Sequence, residues 1–251
     1  MGAAEDLVAN IPVLRFEQAG RTFDTGAAPV RALGPVTLTI DPGELVAVMG
    51  PSGSGKTTLL TLAGALDRPT EGRVLVSGCD LAGLSTREAA EFRRRVVGYV
   101  FQELNLLPGL TALENVALPL ELDGVSLRES RTEAKASLER VGMASFADRF
   151  PDDLSGGEQQ RVAIARSFVG HRALLLADEP TGALDSVTGE QVMRLLRAHC
   201  DGGKSAVVAT HDASHAAWAD RVVFLRDGEI VDETDRVPMS WDSAGAGRTS
   251  R

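Results

Sequence analysis

The 251 residues are 43% apolar and 24% charged, and 26 basic against 35 acidic side chains leave a net charge of −9. A chain of this length buries roughly 70–75% of its extended surface, enough for a complete α/β domain. The acidic balance argues against nucleic acid as a main partner, which needs a basic face, and no apolar run approaches the ~20 residues of a membrane span.

Residues 1–11 read as a loose leader, without the charged-then-apolar pattern of a signal peptide. From Val13 to Ile40, apolar–polar alternation broken by turn residues predicts short antiparallel strands. Leu45 to Met49 is a continuous apolar run that stops at Gly50, as a buried parallel strand does, and Thr57 to Leu66 reads as the helix that follows. Strand character returns from Gly72 to Leu81. The stretch Thr86 to Phe168 is largely helical, with Val96 to Phe101 as its one convincing strand and Arg93-Arg94-Arg95 as a solvated helix face. Two further strands are predicted at Ala173–Ala177 and Ala206–Thr210. A hairpin, Val222–Leu225 and Glu229–Val231, is turned by Asp227-Gly228. Beyond Asp235 the composition predicts a mobile tail. Cys79 and Cys200 show no metal-ligand spacing, which predicts two reduced thiols of a cytosolic protein.

Four of the apolar strands run into chemistry: the Gly50 loop, Gln102, Asp178-Glu179 and His211. Ligands of doubly wound sheets gather at the carboxyl ends of parallel strands, so four such endings predict one site. Gly50-Pro51-Ser52-Gly53-Ser54-Gly55-Lys56-Thr57 matches G-x-x-x-x-G-K-[ST] between a strand and a helix. Its glycines let backbone N–H groups curl around phosphate oxygens, with Thr58 in the same helical turn. Lys56 reaches the β- and γ-phosphates and the Thr57 hydroxyl ligates Mg²⁺. Only three basic residues of the 26 are lysines, yet this position keeps one, where a compact ammonium fits better than a planar guanidinium. Asp178 is predicted to hold Mg²⁺ through water, and Glu179 to polarise the attacking water.

Leu154-Ser155-Gly156-Gly157-Glu158-Gln159-Gln160 permits two readings. Ser155 and Glu158 form a capping box, the mark of a well-made helix start. Two consecutive glycines weaken a helix's first turn, but they leave bare N–H groups where an anion approaches. If this start sits on a separate helical lobe, the anion is the ATP of a second copy.

These motifs, with Gln102, Ala183-Leu184-Asp185 and Thr210-His211, stand in an order that resembles the ATPase subunits of ATP-binding cassette (ABC) transporters, over about Val13 to Val231. The resemblance implies an α/β fold: a RecA-like P-loop NTPase core with a mainly parallel sheet, an N-terminal antiparallel β subdomain and an inserted α-helical subdomain. It implies one domain over 12–234, with core parts 12–87 and 171–234, a helical part 88–170, and the tail at 235–251. It implies ATP and Mg²⁺ as cofactors, a homodimer, a transmembrane permease partner, and a place on the inner face of the cell membrane. Carried over by position, Gln102 senses the γ-phosphate and ligates Mg²⁺, Ser155, Gly156 and Gly157 close on the other copy's ATP, His211 positions Glu179 and water, and Asp185 acts across the dimer. The adenine-stacking tyrosine of the family is replaced here by Phe23, with Phe16 as competitor; phenylalanine keeps the π-face. Within the family, Val97 to Pro108 followed by Glu114-Asn115-Val116 resembles the lipoprotein-release, macrolide-export and cell-division branch. The apolar stretch Leu104–Leu110 is then either a docking surface for a membrane subunit or half-buried packing within the helical lobe. Export or extraction from the membrane is the function this implies. An ATP-gated regulatory module of the cell-division type is the alternative, and a soluble repair or translation ATPase the remote one.

Overall fold

The computed structural model describes residues 11–26, 28–182 and 184–234. Most of the predicted leader, the whole tail beyond 234 and Ala183 lie outside the described residues.

Alternating burial between Leu14 and Ile40 builds two long strands rather than several short ones, β1 (Leu14–Asp24) and β2 (Pro29–Ile40). They pair antiparallel from Leu14↔Ile40 to Asp24↔Pro29, and register shifts after Phe16, Ala19 and Arg21 absorb the irregular residues. The expected turn between Asp24 and Pro29 is present, whereas the expected break at Gly34-Pro35 falls at a register shift inside β2, because a bulge bends a strand without ending it. β3 (Leu45–Met49) then leads into α1 (Lys56–Ala63). β4 (Glu71–Val76) joins the far side of β1, and β5 (Cys79–Asp80) closes a four-stranded antiparallel sheet in the order β2-β1-β4-β5.

The second sheet is assembled from distant parts of the chain. α2 (Thr86–Val96) precedes β6 (Val97–Val100), and α3 (Ala112–Leu122), α4 (Leu127–Arg140) and α5 (Gly156–Phe168) lie between it and β7 (Leu174–Asp178). α6 (Ser186–Asp201), β8 (Ser205–Thr210), the short α7 (Ala213–Ala216), β9 (Arg221–Arg226) and β10 (Glu229–Glu233) complete the fold. The order is β10-β9-β3-β8-β7-β6. Every pairing is parallel except the β9–β10 hairpin, whose Asp227 and Gly228 both take positive φ, 50° and 79°, as a two-residue primed turn requires.

The continuous apolar runs follow from burial on both faces of this sheet. Leu45, Ala47, Leu175, Ala177, Ala206 and Val208 pack toward α3–α6. The alternate residues Val46, Val48, Leu174, Leu176, Val207 and Ala209 pack toward α1 and the antiparallel sheet. Leu59, Leu60 and Leu62 of α1 are fully buried there, each contributing about 1.5–3 kcal/mol. α2 sends Ala89, Phe92 and Val96 to the same side. α2, α3 and α5 each begin with a complete capping box, at Ser85/Glu88, Thr111/Glu114 and Ser155/Glu158.

The arginine run at the end of α2 departs from the predicted solvated face. Only Arg95 is exposed; Arg93 and Arg94 are half-buried, because the Arg93 guanidinium reaches the Ala65 carbonyl at 2.6 Å and both line a groove of about 270 Å³ with Tyr99, Phe101 and Leu122. Both thiols are free, and burial pushes that of Cys200 up to about 12.

Candidate functional site

The carboxyl ends of β3, β6, β7 and β8 meet along one edge of the parallel sheet. There a cleft of about 500 Å³ is lined by Ser52, Gly53, Lys56 and Thr57 from the first loop. Gln102 and Glu103 come from beyond β6, Asp178 from the end of β7 with Glu179 and Gly182 after it, and His211 from just after β8. The four polar endings do form one place.

The Gly50 loop is shaped by close approach. A Cβ on Gly50 would lie 2.1 Å from the Leu225 carbonyl oxygen, and one on Gly55 2.6 Å from that of Ala32. Gly55 also holds a φ of 105° as the residue before α1, a conformation side chains disfavour. Unlike the capped helices, α1 starts with no side-chain cap and no acid in its first turn. Its orphan N–H groups and positive dipole end therefore face the loop, an arrangement made for an anion. Lys56 is 8% exposed and donates to the Gly50 and Pro51 carbonyls at 2.8 and 3.1 Å. The buried Ser54 hydroxyl meets no partner among the described residues. Thr57 is exposed and Thr58 half-buried.

Asp178 is 4% exposed. Burial raises its carboxyl above the usual range, and the neighbouring Glu179 charge adds to this; a hydrogen bond from Thr57 and the Lys56 ammonium pull it back. Glu179 sits at a φ of 47°, and both its oxygens lie 3.0 Å from His211 Nδ1. His211 is well exposed at 71% of its side chain. Oxygen donors from Thr57 and Asp178 at a phosphate-sized cleft suit Mg²⁺, which favours oxygen and keeps its own water. Among the described residues no group of three His, Cys, Asp or Glu side chains forms a separate metal cage.

The two readings of the Ser155 segment both have a counterpart. Ser155 caps α5, and Glu158 accepts from the Ser155 N–H and hydroxyl, each at 2.8 Å. Gly156 nevertheless faces open space, with nothing within 4 Å of a Cβ, whereas one on Gly157 would touch Thr188 at 3.3 Å. Ser155, Gly156 and Gly157 are not among the described residues that line the cleft of their own chain. Asp185 caps α6, accepting from Val187 and Thr188 at 3.0 Å, and these bonds, that of Thr188 first, hold its carboxyl below the usual range. Phe16 is fully buried while Phe23 is 38% exposed, with the Arg21 guanidinium 4.4 Å from its ring centre. Of the two, only Phe23 has a face to offer.

In the Leu104–Leu110 loop, Leu104, Leu106 and Leu110 are half-buried and only Leu107, at 45%, is exposed among the leucines. The fully buried Asn115 holds the loop through the Leu107 N–H and the Leu107 and Leu110 carbonyls, and Arg166 holds the Leu104 and Asn105 carbonyls at 2.6 Å. Half-buried packing is thus the larger part of its apolar character.

Sequence reasoning gave no role to Glu103, Gly182 or Gln160, which also line the cleft. Gln160 stood inside a motif already singled out, but burial of a polar residue on an amphipathic helix leaves no trace in the hydrophobic pattern. A second hollow of about 590 Å³ adjoins Glu179 and His211 and contains His215, whose Nδ1 lies 2.9 Å from the Thr181 hydroxyl.

A family model described as ABC transporter matches residues 33–182. The chain belongs to the ABC transporter family. It is the family's ATPase cassette. It is 45% identical over 232 residues to the macrolide export ATP-binding/permease protein MacB of Rhodospirillum rubrum, covering 92% of this chain and 36% of that protein. With an ABC transporter ATP-binding protein of Methanocaldococcus jannaschii, MJ0796, it shares 44% identity over 226 residues, covering 88% of this chain and 96% of the relative. A solved structure of the ATP-binding cassette MJ0796, a dimer in a post-hydrolysis state bound to ADP and Pi, aligns with a TM-score of 0.85 at 42% identity over 90% of this chain and 100% of that one. The cassette spans about a third of the length of the MacB relatives and nearly all of MJ0796.

Proposed function

We propose that two copies of this cassette close head to tail around two ATP molecules and hydrolyse them to drive a transmembrane permease. Each ATP lies on the Gly50–Thr58 loop of one copy, its adenine on Phe23, and is covered by Ser155, Gly156 and Gly157 of the other, with Asp185 acting across the dimer. Thr57, Gln102 and Asp178 hold Mg²⁺, which offsets the charge that develops on the phosphates. Glu179, oriented by the His211 imidazole, takes the proton of the attacking water, and Gln102 follows the γ-phosphate. The observation that carries this reading is the gathering of Lys56, Gln102, Asp178, Glu179 and His211 around one cleft. The dimeric MJ0796 structure supports the two-copy arrangement.

On this reading the domain runs over 12–234, with 12–87 and 171–234 as core and 88–170 as helical subdomain. The permease docks at the groove between Tyr99 and Leu122, holding the cassette on the inner face of the membrane. Likeness to the MacB proteins favours export or extraction as the work done. Glu179→Gln tests the chemistry: it keeps the side chain's shape and removes the base, so ATP binding and dimerisation persist while turnover falls by about 10²–10⁴-fold. Ordinary turnover in that variant removes Glu179 from its role.

A further inference from the structure

α5 carries a polar side chain that the site described so far leaves unexplained. Gln160, one and a half turns behind the Ser155 cap, is 5% exposed and lines the phosphate cleft with Lys56, Gln102 and Glu179. Its amide nitrogen is sealed from solvent and meets no acceptor among the described residues. The preceding residue is the opposite case: the Gln159 amide donates to the Pro151 and Leu154 carbonyls at 2.9 and 3.1 Å. A buried donor left unpaired is unfavourable, so any arrangement that supplies an acceptor is favoured over the empty cleft. The triphosphate for which the Gly50 loop is shaped brings only acceptors.

We propose that Gln160 is a positioning residue that registers the nucleotide of its own chain. Phosphate oxygens, directly or through a hydrating water, accept from its amide, and this contact sets the place of the phosphates in the cleft of the same chain. One helix then answers to two nucleotides, its own at Gln160 and the partner's at its cap. The inference rests on the two-copy reading above.

Gln160→Leu removes both donors at similar volume. Its homodimer keeps at least the Tm of the wild type, binds ATP more weakly and loses about tenfold in kcat; Gln160→Met serves in its place if leucine lowers the Tm. Mixed dimers, purified through two tags, separate the proposal from simple support of the helix. The reference pairs wild type with Ser155→Arg, which leaves one working sandwich, built on the cleft of the Ser155→Arg chain. Gln160→Leu placed on the chain opposite Ser155→Arg spares that cleft, and activity stays within twofold of the reference. Both substitutions on one chain strike that cleft, and activity falls about tenfold. Equal loss in the two arrangements, or loss only in the first, overturns the proposal, as does a Gln160→Leu homodimer with unchanged kcat. A Ser155→Arg homodimer that hydrolyses ATP at the full rate defeats the two-copy reading itself and the proposal with it.

Discussion

Two helix starts in this chain face the same chemical problem and solve it differently. α1 begins without a cap, behind glycines that its own neighbours crowd, and beside a lysine whose ammonium is held by two loop carbonyls. α5 begins with a complete capping box and a glycine that faces nothing. The first is a cradle unfinished until an anion arrives. The second is finished as a helix and open as a surface, as expected of a part that meets its ligand on another molecule.

The sharpest way to break this contrast is to remove the cradle's charge. Lys56→Ala removes the ammonium from the loop and, on the proposed reading, is expected to cut kcat/KM by at least about 10²-fold, with the fold intact by circular dichroism. Hydrolysis within tenfold of the wild type would mean that the loop is not the phosphate site.

Next comes the difference between the two glycines. Gly50→Ala drives a methyl into the Leu225 carbonyl oxygen, and a forced backbone shift of that kind is expected to cost about 2–4 kcal/mol in urea unfolding. Gly156→Ala meets open space and has alanine's better helix propensity, so the monomer is expected to hold its stability or gain up to about 1 kcal/mol. Its ATPase activity is nonetheless expected to fall. Equal stabilities for the two variants would mean that the two glycines are equally crowded.

How much of this could be read from the sequence differs between the two starts. The cradle was legible because its pattern is local: a strand, a glycine loop and a helix suffice, and Lys56 finds its two carbonyls within the loop itself, although the backbones that crowd Gly50 and Gly55 come from Leu225 and Ala32. The parallel strands were legible for the same cause, since burial on both faces leaves an unbroken apolar run. The length of β1 and β2 was not, because a bulge and a turn use the same residues and only the partner strand decides between them. Nor was the burial of Arg93, which depends on the Ala65 carbonyl 28 residues away, or that of Gln160. Phe23 and Phe16 looked alike until the sheet placed one in the core and the other near its end.

The last and smallest effects concern two carboxylates, one from each region, that titrate in opposite directions. Burial, with the Glu179 charge, raises Asp178 above its usual value of 3.8. The backbone and side-chain hydrogen bonds of Ser155 lower Glu158 below 4.5. A raised acid binds its proton more tightly when folded, so what Asp178 gives to stability is complete below pH 3.8 and lost as pH rises through its folded value. At neutral pH the ionised, buried Asp178 therefore weighs against the fold, and Asp178→Asn is expected to raise the Tm of the nucleotide-free protein while abolishing Mg²⁺-dependent turnover. Glu158 is the reverse: its contribution is present above pH 4.5 and lost as pH falls through its depressed value, so Glu158→Gln is expected to lower the Tm slightly at pH 7 and by less as pH falls below 4.5. Thermal scans of both variants between pH 3 and 7 make the check. A fall in Tm for Asp178→Asn at pH 7 would show that the cradle is already balanced without its anion.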